Sequence, residues 1–176
     1  ASGYSQSYFL YYYMFSWVVK LTTVMFDETY AQRDQIIKRN TSFPVDSSKL
    51  ILSGPHFYLG NPFYKTPRAI CTEKAHYDVI DLVEISESYL PRTNYLPVKE
   101  GDKFDEILPA VTWIESDKVS SKSVTSYYRH INRRDVSPSA ERTMIPAILQ
   151  KGASHILTTF SAVFKDSALM VLFSAT

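Results

Sequence analysis

The stretch Ser53-Gly-Pro-His-Phe-Tyr-Leu-Gly-Asn-Pro-Phe-Tyr-Lys-Thr-Pro-Arg68 decides how the chain is built, and Glu141-Arg-Thr-Met-Ile-Pro-Ala-Ile-Leu-Gln-Lys-Gly-Ala-Ser-His155 echoes it. In the first block Gly54, Pro55, Gly60, Pro62 and Pro67 prevent any helix from running through. His56, Lys65 and Arg68 supply hydrogen-bond donors beside Phe57, Tyr58, Phe63 and Tyr64. The block reads as a shaped loop, entered by a short strand at Leu50–Leu52 and left through Ala69–Thr72.

Working outward, Asp27 caps an expected helix through Arg39, and Thr41 to Lys49 is a connector. Asp78 to Ile85 alternates in part, as a half-exposed strand does, and the proline-rich stretch Glu87 to Pro109 predicts an irregular surface loop. Ser120 to Arg134 predicts a helix, from its serine-rich start and from Val124, Tyr127, Tyr128 and Ile131 at helical intervals. Thr143 to Leu149 and His155 to Phe164 predict two strands joined by Gly152, Pro146 marking an edge or bulge, before Asp166 caps a last helix. The sum is one mixed α+β domain: a mostly antiparallel sheet with a few flanking helices.

With 176 residues, 45% hydrophobic and 21% charged, the chain has material for one domain with a real core. Its net charge of +1 excludes a general electrostatic sponge for nucleic acid, so a DNA-facing surface must be local. From Tyr127 to His155 five cations (Arg129, Arg133, Arg134, Arg142, Lys151) face two acids, Asp135 and Glu141. Acids gather elsewhere, at Asp78, Asp81, Glu84 and Glu87, and at Glu100, Asp102, Asp105 and Glu106, a segregation that suits a two-faced domain. One cysteine, Cys71, excludes an internal disulfide, fits a cytoplasmic protein and reads as a small buried hydrophobe. Tyr8 to Phe26 carries one charge, Lys20, over nearly membrane length, but its tyrosines and threonines favour a buried strand over a membrane span. Both ends read as cut, so the chain is expected to be a piece of a larger protein.

Catalytic patterns are thin. No glycine spacing gives a nucleotide-binding turn, and Asn61-Pro62-Phe63 lacks the second proline of an adenine-methylating Asn-Pro-Pro-aromatic motif, so it reads as turn chemistry. No lysine has an acid two residues before it, as a common metal-dependent nuclease requires. His56, His76, His130 and His155 are scattered without metal-ligand spacing, and each reads as a hydrogen-bonded structural or surface histidine rather than a ligand. The chain therefore reads as a noncatalytic binder with no metal or cofactor of its own. On the expected helix Arg129, Asn132 and Arg133 share a side, with Arg134 beside them: the types that read guanine and adenine edges or hold phosphates. A solvated helix face whose arginines complement the dipole is the open alternative.

From about Ser53 to the end, these blocks together with Tyr77-Asp-Val-Ile-Asp-Leu82, Leu90-Pro-Arg-Thr-Asn-Tyr-Leu-Pro97 and Tyr127-Tyr-Arg129 resemble the region following the catalytic domain in large adenine-specific DNA methyltransferases of restriction-modification systems, including enzymes that join methylation and cleavage. Residues 1–50, the aromatic-rich part, carry the resemblance weakly or not at all. The resemblance implies a target-recognition region that reads double-stranded DNA for a separate catalytic methyltransferase domain of the parent chain, where S-adenosylmethionine binds. It also marks the loop holding Lys65 and Arg68 as characteristic. With Arg129, Asn132, Arg133, Arg134 and Lys151 these are the candidate DNA contacts, the alternative for Lys65 and Arg68 being to pin the loop through backbone carbonyls. A structural or interaction module and a single-strand binder using stacked aromatics are the rival readings.

Overall fold

A computed structural model of the chain describes residues 19–22, 28–58, 61–62, 65–73, 75–98, 102–115, 118–134 and 146–175. Its largest sheet has four strands in the order β1 (Val19–Thr22), β14 (Thr159–Phe164), β11 (Arg129–Arg133), β12 (Pro146–Leu149), every pair antiparallel. Around it lie antiparallel pairs of β9 (Ala110–Glu115) with β10 (Lys118–Ser123), β2 (Ile37–Ser42) with β8 (Thr93–Pro97), β4 (Phe57–Tyr58) with β5 (Asn61–Pro62), and β6 (Lys65–Pro67) with β7 (Tyr77–Val79). Among the described residues one parallel pair, β3 (Ile51–Leu52) with β13 (Ser154–His155), sets the end of the second sequence block beside the strand that enters the first. Short helices α1 (Glu28–Arg33) and α2 (Asp102–Asp105) and the nine-residue α3 (Ser167–Ala175) flank the strands. The expected α+β architecture with mostly antiparallel pairing is what the chain adopts.

Alternation along the sheet assigns its two faces. Ile131, Leu149 and Val163 point inward, Ile131 and Leu149 into a buried cluster with Leu50, Leu52 and Phe57, and Val163 into another that holds Ile37, Tyr95 and Trp113. On the other face Phe160, Ala162 and Phe164 receive Met170 of α3. Asp166 caps α3 as expected, its Oδ1 accepting from the Ala168 amide at 2.8 Å. Pro146 opens the edge strand β12, where its missing N–H costs nothing.

The expected helix over Ser120 to Arg134 is wrong. Lys118–Ser123 closes a hairpin on β9, a 3-10 turn covers Val124–Ser126, and Arg129–Arg133 is the inner strand β11. Serines, valines and a threonine suit a pleated strand, and β11 is covered on both faces, which erases the polar alternation that marks a half-exposed strand. The helix expected through Arg39 stops at Arg33. Gln35 takes φ 55°, the Ile36 amide donates to the Ala31 carbonyl, and Ile37 is drawn into the core opposite Pro97. Within Asp78 to Ile85 only Asp78 and Val79, the end of β7, pair, and the irregular stretch after Glu87 contains the well-buried β8. Of Tyr8 to Phe26, only Val19–Thr22 lies among the described residues.

Gly152 turns the chain from β12 into β13 with φ +88°, its amide donating to the Thr125 carbonyl at 2.8 Å. A Cβ there falls 2.8 Å from Ser47 Oγ and 3.1 Å from the Ser48 amide nitrogen. Gly152→Ala is expected to cost about 2 kcal/mol of stability, read as a lowered urea midpoint at unchanged slope; an unchanged midpoint would show that the turn relaxes freely.

Candidate nucleic-acid interface

The local cation excess of the sequence resolves into separate places. Arg133 and Arg134 lie at the end of β11, where Arg133 pairs with Thr159 and the Arg134 amide donates to the Thr158 carbonyl at 3.1 Å. Arg134 is exposed and Arg133 half-buried. Among the described residues neither side chain has a carboxylate partner. Lys151 sits at the opposite end of the strand, just past Leu149, which pairs with Arg129. Its ammonium lies 5.2 Å from the ring centroid of the exposed Tyr128. Glu141, Arg142 and Asp135 lie outside the described residues.

Arg129 does not share a surface with Arg133. It is fully buried, and its Nη2 donates to the Ala153 carbonyl. Burial pushes its guanidinium down to about 10, so it stays charged at neutral pH while tying β11 to the turn after Gly152. Asn132 is also engaged: its Nδ2 donates to the Arg133 carbonyl at 3.0 Å, leaving Oδ1 to accept from His130 Nε2 at 3.1 Å. In this conformation both polar ends of that amide face the protein. The shared helical side expected for Arg129, Asn132 and Arg133 is replaced by strand alternation, which sends Asn132 to the α3 face.

Lys65 is half-buried in β6, opposite Val79. Arg68 directs Nε to Asp78 Oδ1 at 2.7 Å on an exposed hairpin, so a carboxylate answers its charge locally. Asp78, Asp81, Glu84 and Glu87 are all exposed along this hairpin and the bends that follow. The structure therefore places Lys65 and Arg68 beside the acidic side, apart from the β11 cations in the pairing scheme.

What shapes the loop block is a buried polar network. The Ser53 amide donates to His56 Nδ1 at 3.1 Å, so the proton sits on Nε2, which donates to the Arg92 carbonyl at 2.9 Å. Tyr77 lies edge-on to this imidazole, within 3.2 Å of Ser53 Oγ, and accepts from Asn94 Nδ2; burial raises its phenol to about 12. Thr66 Oγ1 accepts from the Arg92 amide at 2.9 Å. A second tie joins His155 to Ser161: Nδ1–H donates to the Ile156 carbonyl, leaving Nε2 to accept from the Ser161 hydroxyl at 2.8 Å. Serine and histidine in that arrangement are the elements of a nucleophile–base pair. Both are fully buried, so here the pair links β13 to β14 inside the core. His56, His130 and His155 are buried and hydrogen-bonded, and Cys71 is a buried free thiol as expected.

Sequence reasoning gave Tyr128 no place apart from its neighbours, because on a helix it is one of several stripe residues. Its signal is an aromatic immediately before a strand whose first residue is drawn inward.

Two outcomes follow from the buried groups. Arg129→Ala is expected to lower stability by roughly 3 kcal/mol or more in chemical unfolding, whereas a surface contact residue would leave it unchanged. Burial, with the nearby positive charge of Arg129 adding to it, pushes the His155 imidazole down to about 3, and burial also lowers His56 and His130. The unfolded chain therefore binds more protons below the ordinary value, and stability present above pH 6.5 is lost as pH falls. For His155 alone the slope is about 1.4 kcal/mol per pH unit, and urea unfolding between pH 7 and pH 5 is expected to show at least that; a flat profile would contradict neutral buried imidazoles. No protein-family model, curated protein or solved structure matches the chain.

Proposed function

We propose that the chain is a DNA target-recognition domain that gives sequence specificity to an N6-adenine DNA methyltransferase of a restriction-modification system. It is noncatalytic itself and works beside a catalytic domain that binds S-adenosylmethionine. The observation that carries the reading is the Arg133–Arg134 pair: two consecutive cations on the rim of a rigid inner strand, with no carboxylate partner among the described residues. Arginine side chains hold phosphates, and consecutive strand residues offer such charge to both sides of the rim. The exposed acids of the β6–β7 hairpin and the bends beyond it belong to a pairing unit separate from β11, and a duplex held at Arg133 and Arg134 avoids them. The sequence blocks that resemble recognition regions add to this, since β3 and β13 bring them together.

A second reading, a module that packs against a neighbouring domain, is favoured by α3. This helix carries no charged residue, and Leu172, Val171 and Leu169 are 64%, 50% and 40% exposed beside Ile148 of β12. Apolar surface on one helix of this kind suits a protein contact better than solvent. The two readings are compatible where one chain holds both recognition and catalytic domains.

Fluorescence anisotropy with a randomised duplex pool across a salt series separates them. Recognition predicts salt-sensitive duplex binding, and Arg133→Ala/Arg134→Ala is expected to weaken it and to flatten the slope of log affinity against log salt by about 2, near 0.9 per lost phosphate contact. Absence of duplex binding, or an unchanged slope in the double variant, would leave the packing module as the better reading.

A further inference from the structure

Among the described residues three cations lie over exposed aromatic rings: Arg33 over Tyr30 at 4.9 Å, Arg92 over Phe43 at 4.3 Å and Lys151 over Tyr128 at 5.2 Å. The first two are committed inside the protein. Arg33 is paired with Asp34, Nε to Oδ1 at 2.8 Å, so a phosphate approaching Tyr30 meets a carboxylate. Arg92 directs Nη1 to the Pro67 carbonyl, and its backbone is held by His56 and Thr66. Lys151 alone of the three has neither a carboxylate nor a carbonyl acceptor for its charge among the described residues.

The pair is also held from below. Tyr127 packs on the main core and Arg129 is fully buried, so Tyr128 is an exposed residue, at 53%, between two anchored neighbours. Lys151 precedes Gly152, whose amide is fixed to the Thr125 carbonyl three residues before Tyr128. The carboxylate that approaches this turn, Asp105, is taken up by the Thr125 hydroxyl at 2.9 Å. A flat ring on a fixed backbone costs little conformational entropy when a planar ligand stacks on one face, and the ammonium over the other suits an anionic group attached to that ligand.

We propose that Tyr128 and Lys151 form a site for an unpaired nucleotide, the ring stacking on the base and the ammonium contacting its phosphate. This deepens the recognition reading and rests on it for the choice of nucleic acid. Along β11, Tyr128 and Arg134 are six residue steps apart, roughly 20 Å at a strand's rise. That distance is about six nucleotide steps at ~3.4 Å each. A duplex held by phosphates at Arg133 and Arg134 therefore reaches the tyrosine only after a short interval, where an end, a bulge or an extruded base meets the ring.

The test compares a blunt 16-base-pair duplex, the same duplex carrying a short single-stranded overhang, and the free single strand, by anisotropy at fixed salt. The overhang is expected to tighten binding roughly 10- to 100-fold, the range of one or two base-stacking contacts. Tyr128→Ala is expected to abolish that gain without changing blunt-duplex affinity, Tyr128→Trp to keep it, and Tyr30→Ala to leave it intact. Arg133→Ala/Arg134→Ala is expected to weaken blunt and overhanging duplexes alike. A gain that survives Tyr128→Ala, or no gain at all, overturns the proposal. Tyr128-dependent binding of the single strand with no affinity for blunt duplex supports the nucleotide site while the duplex-recognition reading fails.

Discussion

The tie between Arg129 and the Ala153 carbonyl is the interaction on which the rest of the arrangement depends. It fixes the first residue of the inner strand to the turn that leads from β12 into β13. Through β13 that constraint reaches β3 and the loop block that follows it, because Ser154 and His155 pair with Ile51 and Leu52. A guanidinium is an expensive choice for such a post, since its charge must be taken out of water. Burial lowers its pKa to about 10, which leaves it a cation in the fold at neutral pH. The same position filled by an apolar residue would pack, but it would not select the partner carbonyl.

The polar ties elsewhere follow one logic. His56, Tyr77 and Asn94 hold the loop block, His155 and Ser161 bind β13 to β14, and His130 meets Ser174 of α3 at 3.0 Å. Each joins segments that the main sheet's backbone ladder does not connect. Where the described residues form five two-stranded pieces around one larger sheet, such ties supply the registry that a continuous ladder supplies in larger sheets. They depend on neutral imidazoles, which makes the fold sensitive to acid through its interior rather than through surface ion pairs. The exposed pair Arg68–Asp78 contributes little by comparison.

The sequence made the strand-rich, helix-poor character legible through its glycines, prolines and β-branched runs, and Asp166, Pro146 and Leu50–Leu52 fell where their local chemistry puts them. Arg129–Arg133 was not legible, for a physical reason. A strand covered on both faces shows no alternation, and with tyrosines and an isoleucine nearby the residual pattern matches a helical interval. One wrong period then propagated: it turned Arg129 into a surface cation, Asn132 into its neighbour, and Tyr128 into a stripe residue. Net charge counting failed in a related way, because it gave Arg129, Arg133 and Lys151 equal weight while burial separates them completely.

That separation changes what the basic segment can do. On a helix, Arg129, Asn132 and Arg133 form one compact patch about a turn long, suited to reading adjacent base edges. On a strand, the accessible cations lie at the two ends of a rigid rod, Lys151 with Tyr128 at one and Arg133 with Arg134 at the other, and the interval between them is filled by groups facing inward. On the proposed recognition reading, such a rod measures a distance along its nucleic-acid ligand rather than the identity of neighbouring groups. A long, regularly charged polymer is the class of partner for which a fixed spacing between cations carries information, and the aromatic at one end adds a requirement that a plain polyanion cannot meet.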